Sequence, residues 1–294
     1  MNVYKRMKAL MDTPEAREKT VAYIADHLSF LGNNERVLLC YPDRSEGSIG
    51  WMFEQAVRSK GGLPIWLDRD RRWKSLLRQA FSSRASVIIG EPLVILGLTK
   101  LAKHRYTPLY IRHAVTAGYP CLEWMRSAIV RGLDCNTWGC YDPVGIVAGF
   151  SCPSSLGVHL RTDVFCYEQD RESGELILIP KAEPELRVLT GTKGELVADA
   201  CLCGEEASRL MNIATDHTAD PDLEQLRSML HNWSSILDCK VERGQYGLEL
   251  ELVVFSGEKL PKLPSCAKQV IRGWDPETDV PFGMDMEWKF SDLA

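Results

Sequence analysis

Thiols and imidazoles are the side chains of this sequence with the most evident chemistry. Cys152, His159, Cys166 and the Cys201-x-Cys203 pair are of the types that furnish a tetrahedral zinc site, because thiolate and imidazole are that ion's ligands. The set Cys152, His159, Cys201 and Cys203 matches no standard two-by-two spacing, so buried or surface thiols are the simpler reading. Gly47-Ser48-Ile49-Gly50, between a strand and a helix, is either an anion cradle of backbone N–H groups or an ordinary cap and turn. His113 lies in an apolar strand and reads as a satisfied core histidine. Ser154 and Ser155 lack a nucleophile-elbow context.

These groups must be positioned by a globular chain. Its 294 residues suffice for one large or two modest domains, and 45% apolar with 26% charged residues excludes a disordered tail and a membrane protein. Lys and Arg number 35 against 40 Asp and Glu, with no basic block, so a nucleic-acid partner is not expected. The most apolar run, Val87 to Leu101, is broken by Glu91, Pro92 and Lys100 and falls short of the roughly 18 apolar residues of a membrane span. No apolar h-region follows Lys5, Arg6 and Lys8, so a cytoplasmic protein with reduced thiols is expected.

Thr13 to Gly32 has the pattern of a helix, with Thr13 as cap, Pro14 in the first turn and Val21, Ile24, Leu28 and Leu31 at helical spacing. Strands over Val37–Tyr41, Pro64–Leu67, Val87–Ile89 and Leu109–Thr116 then alternate with a helix opened by Ser45 to Gly50 and ending at Gly61-Gly62, and with helices over Trp73–Phe81, Pro92–His104 and Pro120–Arg131. That alternation predicts an α/β fold with a largely parallel sheet and flanking helices over residues 1–133. Short strands at Gly157–Cys166, Gly174–Ile179 and Gly194–Asp199 predict a β-rich, partly antiparallel subdomain over 134–218. Beyond the polar boundary Thr218–Asp222 come a short helix (Leu223–Leu230), strands over Leu237–Glu242 and Leu248–Phe255, and a Pro-rich tail, a small C-terminal α+β segment over 219–294.

One ordered series of motifs goes further. Ala117-Gly118-Tyr119-Pro120, Trp138-Gly139-Cys140-Tyr141-Asp142, Gly157-Val158-His159, Thr162-Asp163 and Gly194-Glu195-Leu196-Val197 follow one another in an order that resembles phenylacetate–CoA ligases and their relatives in the adenylate-forming superfamily. The resemblance implies that Ala117, Gly118, Tyr119 and Pro120 correspond to the turn beside the adenine. It implies that Trp138 to Asp142 match the aromatic-Gly-x-Thr-Glu loop, with Tyr141 in the place of the Thr that holds the nucleotide phosphate. Asp142 then stands in the place of the Glu that holds Mg²⁺. Asn212 to Asp216 resemble the element whose Asp accepts the ribose hydroxyls, here Asp216, and Leu260 to Lys268 loosely resemble the segment of the adenylation lysine, here Lys268.

Two departures from the family pattern shape the functional expectation. The phosphate-cradling loop should precede the helix at Thr13, but residues 1–12 contain neither Gly nor Ser from which to build it. The Arg-rich hinge expected after Asp216 is replaced by a short polar segment. The resemblance thus implies a truncated acid–CoA ligase scaffold that binds AMP, ATP or a small carboxylic acid, with Mg²⁺ and with CoA use open, and that is impaired or inactive alone. Its lost third would come from a partner chain or be offset by homo-oligomerisation. The alternative is a non-catalytic nucleotide-sensing or scaffold paralogue.

Overall fold

A computed structural model describes residues 2–68, 72–118, 121, 123–152, 157–199, 201–215, 225–226, 229–230, 235–255, 262–263, 265 and 268–274. Two helices open the chain, α1 (Val3–Met11) and α2 (Pro14–His27), followed by β1 (Arg36–Cys40), α3 (Ile49–Ser59), β2 (Leu63–Trp66), α4 (Trp73–Ser83) and β3 (Val87–Gly90). The alternation continues through α5 (Pro92–His104), β4 (His113–Thr116), α6 (Glu123–Leu133) and β5 (Asn136–Tyr141). The strands β2-β1-β3-β4-β5 pair in parallel. Apolar runs such as Val37-Leu38-Leu39 build this sheet because helices cover both of its faces. Val37, Leu39, Val87 and Ile89 pack on α2 and α3, and Leu38 and Ile88 pack on α4, α5 and α6.

At β5 the pairing changes sense. β6 (Gly149–Ser151), β7 (Val158–Leu160), β8 (Phe165–Gln169), β9 (Glu175–Pro180), β10 (Val188–Val197) and β11 (Arg209–Thr215) extend the same sheet. They run antiparallel in the order β5-β6-β7-β11-β10-β9-β8, giving 11 strands. A separate sheet joins β12 (Ile236–Gly244), β13 (Gly247–Phe255) and β14 (Lys268–Trp274), with β12–β13 antiparallel and β13–β14 parallel. It leans on α5, where Phe255 stacks on His104 with ring centroids 4.8 Å apart and the Lys100 ammonium donates to the Ile236 carbonyl. Among the described residues no helix is long and apolar enough to cross a membrane.

The structure adds one element to those expected and corrects several others. Residues 1–12 are largely helix α1, capped by the Asn2 side chain accepting from the Tyr4 N–H at 2.9 Å and anchored by buried Met7 against Ile146, Phe165 and Leu178. Residues 109–112 stay outside β4, because its neighbour β3 begins only at Val87. The single strand expected at Gly157–Cys166 is two, β7 in the middle of the sheet and β8 at its far edge. Trp138 to Tyr141 lie within strand β5 and not in a loop, and the Pro-rich tail contains a strand, β14. Most of the helix expected at Leu223–Leu230 lies outside the described residues.

The break between β7 and β8 has a physical cause in Arg161. Its side chain is wholly buried and donates through Nη1 to Thr20 Oγ1 of α2 at 2.9 Å. It also grips half-exposed Asp163 through Nε at 2.9 Å and Nη2 at 3.2 Å, and its guanidinium lies 4.8 Å from the centre of the Tyr23 ring. The Tyr167 hydroxyl donates to the carbonyls of Arg161 and Ala148 at 2.9 and 2.8 Å. A buried guanidinium is stable only when its donors are satisfied. The chain therefore bends at Arg161 to supply them, which joins α2 to the antiparallel half. We expect Arg161→Ala to lower unfolding free energy by about 3 kcal/mol, the low end for a broken buried pair because Asp163 keeps contact with water. Urea denaturation checks this, and a loss below about 1 kcal/mol would show that the tie carries little of the stability.

Candidate functional site

In an open α/β sheet ligands bind beyond the carboxyl ends of the parallel strands. Here β1 runs out at Tyr41, β3 at Glu91, β4 at Gly118 and β5 at Asp142. The Ala117 N–H donates to the Gly90 carbonyl at 3.0 Å, which holds the end of β4 against that of β3. Gly118 then turns with φ +96°, a conformation open to glycine, and its N–H donates to Asp142 Oδ2 at 2.7 Å. A Cβ on Gly118 would stand 3.3 Å from Glu91 Cγ and 3.7 Å from the Tyr41 ring. The four strand ends thus converge within one side chain's reach of each other. The buried Tyr41 hydroxyl has no hydrogen-bond partner among the described residues.

Burial is the largest influence on the Asp142 carboxyl and pushes it up to about 7. The N–H groups of Gly118 and of Asp142 itself pull it back, while the charge of Glu91 adds to the rise. Burial pushes Glu91 up to about 7 as well. The crevice therefore holds two carboxyl groups poised between neutral and anionic near pH 7, a donor set of oxygen atoms that suits a hard divalent cation. Glu91 was not among the residues marked in the sequence. The available signal was an acidic residue placed directly after an apolar strand and before the Pro92 that starts a helix.

The other marked residues are distributed as follows. Gly118 meets Asp142 and Ala117 bonds the Gly90 carbonyl as described, and Gly139 lies on β5, where its N–H donates to Ser151 Oγ at 2.5 Å. The half-buried Trp138 ring stacks on Phe30 at 4.4 Å between centroids and packs near His113 on the α2 side of the sheet. Tyr141 is packed against two apolar groups, one around Met7 and Ile146 and the other around Leu160 and Leu176. Lys268 starts β14, exposed and 3.6 Å from Glu249 Oε2, and no contact among the described residues joins it to Asp142. Tyr119, Pro120, Ser154, Ser155 and Asp216 lie outside the described residues.

Two weaker sequence readings also meet their geometry. Ser48 caps α3 by accepting from the Trp51 N–H at 3.2 Å, and the space beside Gly47 is taken by the Asp12–Arg17 ion pair, a Cβ there lying 2.6 Å from Asp12 Oδ1 and 3.1 Å from Arg17 Nε. The motif is a cap and turn. His113 is not a satisfied histidine: its Nδ1 is buried without a partner among the described residues, and burial lowers its pKa.

Cys152, His159, Cys201 and Cys203 come together, with one donor atom from each all within 4.8 Å of one another. Cys166 is exposed on β8 and stays apart from this group.

The carboxyl crevice has a pH signature. The folded pKa of Asp142 lies above its ordinary value of 3.8, so the native chain keeps a proton that the unfolded chain releases. Stability from this site is therefore lost as pH rises from about 4 to about 7 and is level above. Relative to the parent, Asp142→Asn should gain stability progressively across that window, by at most about 4 kcal/mol. Urea denaturation of both proteins at several pH values measures the difference, and a difference independent of pH refutes the assignment.

The sequence matches no family model and no curated protein. Solved structures do match the fold. A 2-hydroxyisobutyryl-CoA ligase in the postadenylation state, in complex with R3-HIB-AMP, superposes with a TM-score of 0.65 at 10% identity over 90% of this chain and 68% of that one. A benzoate CoA ligase from Burkholderia xenovorans LB400 gives 0.54 at 10% identity, covering 90% of this chain and 64% of that one. The amide bond synthetase McbA from Marinactinospora thermotolerans gives 0.53 at 12% identity, covering 88% and 63%. The chain thus spans about two thirds of the length of these enzymes. The fold of this chain, with its 11-stranded sheet, parallel and then antiparallel, is similar to that of these three solved enzymes.

Proposed function

We propose that this chain binds an adenine nucleotide, as AMP or an acyl adenylate, in the crevice at the ends of β1, β3, β4 and β5. One observation carries the reading: Asp142 is tied to the Gly118 N–H at 2.7 Å where the fold places a ligand crevice. A 2-hydroxyisobutyryl-CoA ligase of the same fold was solved with an acyl adenylate, which supports the ligand class. In this reading Gly118, with neighbouring Ala117, Tyr119 and Pro120, borders the adenine, and Asp216 accepts the ribose hydroxyls. The Gly118 N–H holds Asp142 in one orientation.

Asp142 and Glu91 would hold Mg²⁺, which supplies positive charge to phosphate oxygens when bound. The two carboxyl groups give up their protons as the cation enters, so cation binding strengthens with pH through about 7. If the chain turns over, the reaction class is AMP-forming activation of a small carboxylic acid, with CoA as acceptor, Lys268 as the activating lysine and a partner chain or second copy completing the site.

A second reading, nucleotide binding without turnover, is favoured by two observations. Residues 3–11 are helix and hold neither Gly nor Ser where the family resemblance puts the phosphate-cradling loop, and Tyr141, packed in apolar surroundings, stands in the place of a phosphate-holding Thr. Calorimetric titration with AMP and with ATP, each with Mg²⁺, tests the shared claim. We expect AMP binding in the micromolar range that weakens at least about tenfold, or about 1.4 kcal/mol, in Asp142→Ala. No heat with either nucleotide overturns both readings. Carboxylic-acid-dependent exchange of pyrophosphate into ATP separates them, since turnover requires it and binding alone does not.

A further inference from the structure

We infer that Cys152, His159, Cys201 and Cys203 form a structural zinc site that pins the β10–β11 loop to the β6–β7 hairpin. Cys201 Sγ lies 3.8 Å from Cys152 Sγ, and Cys203 Sγ lies 3.4 Å from His159 Nε2. Zn–S bonds of about 2.3 Å and Zn–N bonds of about 2.0 Å at tetrahedral angles put sulfur atoms about 3.8 Å apart and sulfur and nitrogen about 3.5 Å apart. Both observed separations fall at these values, and all four donor atoms lie within 4.8 Å of one another. A Cys₃His set fills four positions and leaves none for water, which is the donor set of a structural site and not of a catalytic one.

The three segments are shaped to deliver these donors. Cys152 directly follows β6, and His159 is the central residue of β7. Between Val197 and Arg209 the chain leaves the sheet and curls on itself, with the Cys201 N–H donating to the Glu205 carbonyl at 3.0 Å and the Gly204 N–H to the Cys201 carbonyl at 2.9 Å. Gly204, at φ +88°, permits that reversal. The turn brings Cys201 and Cys203 to the same point while Leu202 between them is 95% exposed, so its apolar contacts do not fix the loop. Coordination through Nε2 puts the His159 ring proton on Nδ1, a buried atom without a partner among the described residues. Oxidation would instead link two of these thiols, as between Cys152 and Cys201, whose sulfur atoms lie 3.8 Å apart.

The site is tested on the full chain, equilibrated with zinc and then dialysed free of loose metal. Elemental analysis should find about one zinc per chain, and titration with a mercurial thiol reagent should release it as cluster thiols react. Cys203→Ser should lower zinc retention against a competing chelator at least tenfold, and Cys166→Ser should leave it unchanged. Folded parent protein that retains no zinc overturns the site, as does a Cys152–Cys201 disulfide found by peptide mass mapping under non-reducing conditions. Zinc held equally by Cys203→Ser also overturns it, because the metal would then sit elsewhere. Should Cys203→Ser fail to fold, release from the parent still decides: zinc lost without modification of Cys152, Cys201 and Cys203 refutes the assignment.

Discussion

A single buried cation organises the junction between the two halves of the large sheet. Arg161 has no access to water, and an unpaired guanidinium in that position would be prohibitive. Its hydrogen-bonding needs dictate three features at once: the register of α2 through Thr20, the sharp bend that ends β7 through Asp163, and the Tyr23 ring beneath the cation. Tyr167 then bonds the Arg161 and Ala148 carbonyls, so β8 is drawn back toward the start of β6. Apolar burial supplies most of the driving force, but it is non-directional. The polar tie selects which packing is adopted.

The same junction explains where the crevice lies. Parallel strands end together, and the chain must leave them by turns that do not follow the ladder. At β5 it leaves into antiparallel strands, so Asp142 is carried past the sheet edge and faces the turn of Gly118. Glu91 enters the same space because Gly90 admits close approach of β1: a Cβ there would stand 2.4 Å from that of Cys40. The carboxyl groups are forced together by topology, and burial then raises both pKa values.

The parallel half was legible because its strands and helices carry unmixed signals. Val87-Ile88-Ile89 reads only as a buried strand, and Pro92 to His104, with its N-terminal Pro, is the helix expected over the same residues. The antiparallel half was less so. Val158 to Phe165 alternates as one strand until the demands of buried Arg161 divide it, a tertiary effect invisible in local pattern. Residues 3–11 carry few core residues, and only the pocket around Ile146 and Phe165 makes Met7 an anchor. Gly118 and Asp142 were found through motif order and are hydrogen-bonded. Glu91 was missed because a lone acid after a strand gains meaning only when its neighbour across the sheet is known. The four-member thiol–imidazole group was nameable from residue type, yet its closeness depends on strand order β6-β7-β11-β10.

The small sheet is fastened to α5 by dissimilar contacts: an aromatic stack between His104 and Phe255, apolar packing of Val253, and the Lys100 ammonium on the Ile236 carbonyl. A lysine head at such a seam gives up the Ile236 carbonyl if the sheet slides even a little, and slight sliding admits too little water to replace that bond. Intermediate positions are therefore the costly ones. Any movement of β12–β14 relative to α5 would on this ground be a discrete event, from engaged to fully hydrated, and not a graded swing.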